Sequence, residues 1–230
     1  MNGRRVFYTE IAYVLGLVLL AFGTALMERA DFGMSMVVAP AYLMYLQISQ
    51  FAGCFTFGMA EYCLQAILLV LMSILLRRFK PMYLFSFCTA VLYGVVLDFC
   101  IWLVGYIPGS GFVFQFAFYI IGLLLCSFGV AMFFHTYIAP EAYELFVKEI
   151  SVQLDKDVAV VKTVYDCCSC GIAVILSFAF FGFGHFEGVK LGTIVCALIN
   201  GWLIGKISHS FEKHFDFCDM LPLRNLQRYK

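Results

Sequence analysis

Six apolar runs of about 20 residues, at 10–29, 58–77, 82–105, 112–135, 158–183 and 188–207, leave this chain few ways to fold. Each has the length a helix needs to cross the hydrocarbon core of a bilayer. Backbone groups inside hydrocarbon must be hydrogen-bonded within the protein, so such runs become helices. Composition agrees, since 63% of residues are hydrophobic and 13% are charged, against roughly half and a quarter in soluble domains. The expected fold is an all-α, polytopic membrane helix bundle with six transmembrane spans. Residues 1–230 then form a single membrane domain, with 208–230 as a solvated cytoplasmic tail and no room for a soluble catalytic module.

Basic residues orient the bundle, because Lys and Arg accumulate on cytoplasmic loops. With both termini cytoplasmic, Arg4, Arg5, Arg77, Arg78, Lys80, Lys148, Lys156, Lys162, Lys206, Lys213, Arg224, Arg228 and Lys230 fall inside, leaving Arg29 and Lys190 outside. An odd number of spans breaks this division.

The pattern G-L-x-L-x-x-F-G-x-A occurs at 16–25 and again at 122–131. The chain therefore reads as a duplication, residues 10–105 followed by 112–207. Three spans per copy is an odd number, so the second copy starts on the opposite side of the membrane and the repeats are inverted. Gly16, Gly23, Gly122 and Gly129 lie seven apart within each copy, on one stripe, and mark where the first helices of the two repeats pack. Further along, Glu61 aligns with Asp166 and Gly94 with Gly201. Two shorter segments, 34–50 with Pro40 and 139–154 with Pro140, Glu141, Glu144, Lys148 and Glu149, add one non-spanning helix to each repeat. Irregular backbone at membrane depth is tolerated where it lines a cavity.

Two stretches carry a family resemblance: Phe22-Gly23 through Asp31-Phe32-Gly33-Met34-Ser35, and Gly188-Val189-Lys190-Leu191-Gly192-Thr193 followed by Ala197-Leu198-Ile199-Asn200-Gly201. They resemble the YczE/YyaS/YitT-like group of small bacterial membrane proteins. The resemblance spans most of 10–207 and implies the same architecture, a bacterial cytoplasmic (inner) membrane location and a transport-like role. Members commonly show a Pro-Trp-Asp triplet where this chain reads Met36-Val37-Val38, so that acid is absent here.

Charges inside hydrocarbon are expensive and mark sites or ion pairs. Glu61, Asp98 and Asp166 fall within spans, and with Tyr165 and Asn200 they form the candidate substrate or ion site. Gln65, four residues after Glu61, shares its face; a snorkelling Glu61 at the interface is the competing reading. Lys162 lies four before Asp166, and an intrahelical ion pair competes there with cation binding or proton exchange. Asp98 has no basic neighbour one turn away, and Arg29 is its available partner. Thr193 and Asn200 share a face of the sixth span, as ligand groups or as interhelical hydrogen-bond glue.

The chain has ten cysteines. Cys167, Cys168 and Cys170 spread around a helix at about 100° per residue, so no metal site is expected, with Cys167 and Cys170 the residual candidates. No Walker A loop, dinucleotide fingerprint, G-x-S-x-G or catalytic carboxylate pair occurs, so neither an enzyme nor a cofactor is expected. The functional reading is a secondary transporter or permease for a small solute or ion, alternating access around a midplane site. Its partners are the lipid bilayer, that solute and possible homodimer contacts, with no nucleic acid. The alternative is a non-transporting membrane partner, either the substrate-capturing subunit of an ATP-driven importer or a scaffold.

Overall fold

The computed structural model describes residues 5–77, 79–80, 82–109, 111–182 and 189–220. Arg4, Arg78, His185, Gly188, Arg224, Arg228 and Lys230 lie outside the described residues. A short strand β1 (Arg5–Tyr8) leads into α1 (Thr9–Ala30), followed by α2 (Ala39–Ile48), α3 (Phe57–Leu76) and α4 (Met82–Gly105). The second half repeats this order as α5 (Phe112–Phe134), α6 (Ala142–Leu154), α7 (Val158–Phe181) and α8 (Leu191–His214), and closes with β2 (Phe215–Cys218). Six of these helices, α1, α3, α4, α5, α7 and α8, are long and apolar enough to cross a membrane.

Local chemistry sets several helix ends. Thr56 caps α3 by accepting from the Met59 N–H, and Asp157 caps α7 by accepting from Ala159, each satisfying a free donor of the first turn. Asp31, Arg77 and Asp155 end α1, α3 and α6 in the left-handed conformation. Large apolar side chains such as Ile67, Val95, Phe99, Ile175 and Leu198 stay more than half-exposed around the bundle or close to it, as a lipid-facing surface requires.

The bundle is built on the crossing of α1 and α5. A Cβ on Gly23 would sit 2.7 Å from the Gly122 carbonyl oxygen, and one on Gly122 would sit 2.7 Å from that of Gly23. Gly16 and Gly129 face each other in the same reciprocal way. As residue number rises along α1 it falls along α5, so the two helices run antiparallel. Equivalent residues exchange partners, the contact pattern of a pseudo-two-fold axis. The inverted repeat expected from the glycine stripe is thus present in the packing.

The same symmetry corrects one sequence alignment. Gly58 and Gly94 bring α3 and α4 together, and in the second repeat Gly201 packs over the Ala159 carbonyl, joining α8 to α7. Gly94 and Gly201 are equivalent, as expected. Gly58, however, matches Ala159, which makes Lys162 the counterpart of Glu61, and Asp166 the counterpart of Gln65. Spacer lengths differ between the halves, so a linear match slipped by one turn.

The ends of the chain correct a second expectation. β1 and β2 pair in parallel, Arg5 with Phe215 through Tyr8 with Cys218, and α8 runs on to His214. Tyr137 and the Met220 N–H both donate to Glu10, and His135 stacks on Phe217 with ring centroids 4.6 Å apart. Residues 208–220 are therefore ordered, as the end of α8 and β2, rather than a free tail, although most of their side chains stay exposed. The ladder also holds β1 and β2 together on one face of the bundle, called the terminal face below.

Candidate functional site

The two short helices place the site. The chain leaves α1 at the face opposite the ladder and dips back, so that Val37 and Val38, just before α2, lie beside Leu20 and Thr24 near the middle of α1. From the terminal face, residues 135–141 rise in the same way. The Ala139 carbonyl accepts from Thr89 and that of Pro140 from Ser86, both on α4. Both short helices thus begin deep and run outward, with their N-termini converging between the repeats. The backbone freed by this irregular path is satisfied by side chains and by the Ser35 carbonyl, which accepts from Val38 and Ala39.

Where they converge lies a charged cluster sealed from solvent. Glu61 and Asp166 are 0% exposed, Glu141 and Lys162 1%, and Glu144 3%. Lys162 Nζ stands 3.1 Å from Asp166 Oδ1 and 3.6 Å from Glu144 Oε1. Gln65 donates to Glu141 Oε2 at 2.7 Å and accepts from the Ala142 N–H at 3.0 Å, locking α3 to the start of α6. Tyr143 donates to Glu61 Oε2 at 3.1 Å. Asn200 accepts from Ser127 and lies within electrostatic reach of Asp166. Thr24, Tyr93, Glu141, Glu144, Lys162 and Asn200 border a cavity of about 20 Å³, room for about one water or a small ion.

Four carboxyls here face one ammonium. Burial, and after it the neighbouring Glu144 and Glu61 carboxyls, pushes Glu141 well above the ordinary carboxylate range. Burial also raises Glu144, against the pull of Lys162. Several carboxylate oxygens, Glu61 Oε1, Glu141 Oε1 and Glu144 Oε2 among them, have no hydrogen-bond partner in the protein. Glu141 and Glu144 also occupy the first turn of α6, or its cap, where acids complement the positive end of the helix dipole. The protein itself thus supplies the acidic groups that a half-helix N-terminus favours.

The structure buries Glu61, Gln65, Lys162, Asp166 and Asn200 in the interior, which decides between the two readings left open for Glu61, and it forms the Lys162–Asp166 pair as spaced. Glu61 does not snorkel. Tyr165 stands at the edge, its ring 5.6 Å from Lys162 Nζ. Asp98 lies apart from the cluster: it accepts from the Gly58 N–H at 2.9 Å, capping the first turn of α3 from a neighbouring helix. It does so in place of the expected bridge to Arg29, which is exposed. Thr193 is buried at the start of α8, beside Gly33, where the Lys190 N–H donates to it. Cys167 and Cys168 point outward and Cys170 inward, following the 100° helical step.

Glu141, Tyr143 and Glu144 were missed as site residues, because the charges of 139–154 read as those of an interfacial segment. The available signal was the three-residue spacing of Glu141 and Glu144, which puts both on one face of the helix, directly after Ala139-Pro140. Lys162 likewise leaves the charge ledger of the cytoplasmic loops, since it belongs to the core.

Ion pairs join the repeats at both faces. Opposite the ladder, Lys190 Nζ meets Asp31 at 2.6 Å while the Gly192 N–H donates to the Phe32 carbonyl. At the terminal face, Lys80 meets Glu149 at 2.7 Å.

The sequence profile of a family of unknown function, DUF6198, matches residues 7–209. The chain belongs to that family. No curated protein and no solved structure matches it. The match of DUF6198 covers the first five long helices, α8 as far as residue 209, both short helices and every residue of the buried cluster, so the site lies within the portion that defines the family.

Proposed function

We propose that this DUF6198 protein is a secondary transporter that exchanges a small cationic solute or cation for protons, alternating access around the buried cluster. The observation that carries the reading is four carboxyls and one lysine enclosed where two half-helices converge between inverted repeats. A bound cation can be neutralised by release of protons from these carboxyls, so electroneutral exchange needs no further charged group. Rocking of one repeat against the other would open one face at a time, breaking either the Asp31–Lys190 or the Lys80–Glu149 contact. The protein acts in this reading as a carrier rather than an enzyme. The positive-inside bias supports the terminal face as cytoplasmic, and the family resemblance supports a bacterial inner membrane.

Proteoliposomes containing a trapped pH dye test the proposal. Inward gradients of sodium, potassium, lithium, magnesium, methylammonium or guanidinium are expected to drive proton efflux for at least one cation. Glu144→Gln and Asp166→Asn should each reduce that rate by at least about tenfold while leaving the protein monodisperse. No proton movement with any cation would overturn the reading.

A further inference from the structure

Between α3 and α7, symmetry mates in the two repeats, runs a cleft of about 450 Å³ that opens sideways at membrane depth. Ile67 and Leu71 form one wall, Val164 and Ile172 the other, and Pro40 and Tyr143 belong to its floor. Its lining is almost wholly apolar and its size suits a drug-sized ligand. Ile67, Val164 and Ile172 are each more than half-exposed along it, facing acyl chains rather than water.

What separates this cleft from the charged cluster is one layer of side chains. Tyr143 and Val37 border both the cleft and the buried cavity. On its inward side the Tyr143 hydroxyl donates to Glu61, whose other oxygen has no partner. Glu144 Oε2 is likewise buried and unpartnered. At the inner end of the cleft, Phe146 and Tyr165 stand with ring centroids 5.5 Å apart, and the Tyr165 ring already lies near the Lys162 ammonium. Aromatic faces beside buried carboxyls favour a cation, by attraction to the ring quadrupole and by direct charge. No basic side chain lines the cleft, so a phosphate or carboxylate headgroup finds no counter-charge there and meets behind it four carboxyls against the single Lys162 ammonium.

We infer that the cleft between α3 and α7 is a lateral portal for amphipathic amines, the apolar tail lying between the two helices and the ammonium reaching Glu61 and Glu144 past Tyr143. This rests on the transport reading and adds to its substrates lipophilic ammonium compounds that partition into the bilayer. On arrival the ammonium N–H groups donate to the unpartnered carboxylate oxygens, and one proton leaves a carboxyl for each positive charge bound.

The test uses purified protein in phosphatidylcholine nanodiscs, with saturable thermal stabilisation as readout and decylamine as probe. Decylamine is expected to act at a concentration at least about tenfold below that of ethylamine, with decanol and decanoate giving no saturable shift. Val164→Trp and, on the facing wall, Ile67→Trp should each abolish the decylamine response, as should Glu144→Gln. Equal responses to decylamine and decanol would overturn the inference by making the cleft an acyl-chain groove. Equal responses to decylamine and ethylamine would overturn it too, since the cluster would then take small cations without the cleft. Val164→Trp proteoliposomes keep this inference apart from the transport reading. Continued proton exchange with a small cation alongside lost decylamine binding supports both, whereas unchanged decylamine binding overturns the portal alone.

Discussion

The two repeats share a scaffold and divide the chemistry unequally. In the first, α2 reads Ala-Pro-Ala-Tyr-Leu-Met-Tyr-Leu-Gln-Ile and carries no charge. In the second, α6 and its cap bring Glu141 and Glu144 to the equivalent depth. The second spans differ in the same sense: α3 offers Glu61 and Gln65, whereas α7 holds Lys162 and Asp166 as an ion pair. Symmetry therefore builds the enclosure, and its departure from symmetry provides the charge. A symmetric cluster would set like charges against each other across the axis; moving the lysine to one repeat lets it neutralise part of the acid excess.

The largest expected effect attacks what the repeats share. Gly23→Leu and Gly122→Leu each place a side chain against a backbone 2.7 Å away, and both should destabilise the bundle by about 3 kcal/mol or more. Loss of the monodisperse peak in size-exclusion chromatography would register it for either variant. Tolerance of one and not the other would break the two-fold description of the crossing.

Next comes the chemistry that differs. Lys162→Met leaves Asp166 and Glu144 without a buried partner and should cost about 3 kcal/mol in denaturant unfolding. Its counterpart Glu61→Gln keeps an acceptor for Tyr143 and should cost about 1 kcal/mol or less. Equal costs would mean that the charges are distributed more evenly than the geometry states.

Spread most thinly, across several pH units, is a dependence on pH. Because Glu141 is held above its ordinary value of 4.5, the folded protein binds more protons than the unfolded chain between that value and the raised one. Stability should then rise as pH falls through this window and decline as pH climbs, by at most about 1.4 kcal/mol per pH unit from this group. Glu141→Gln should flatten the slope measured by thermal unfolding between pH 5 and pH 8. A slope unchanged by the substitution would show that Glu141 is not its source.

Much of this architecture was legible in the residues themselves. Six spans follow from apolar run length, and the inverted pairing of α1 with α5 follows from two copies of one glycine stripe separated by an odd number of spans. The Lys162–Asp166 pair follows from a spacing of four on a helix. These are local quantities, fixed by hydrocarbon thickness and helical period. What only the tertiary structure decided is depth and partnership. Pro140 and Glu141 rise to meet Gln65 from a segment whose composition suits an interface, Asp98 caps a neighbouring helix, and β2 pairs with β1. A charge pattern does not state how far an irregular loop dips or which remote carbonyl will accept its bonds. Those outcomes depend on backbone groups that can be satisfied only by residues brought near through packing.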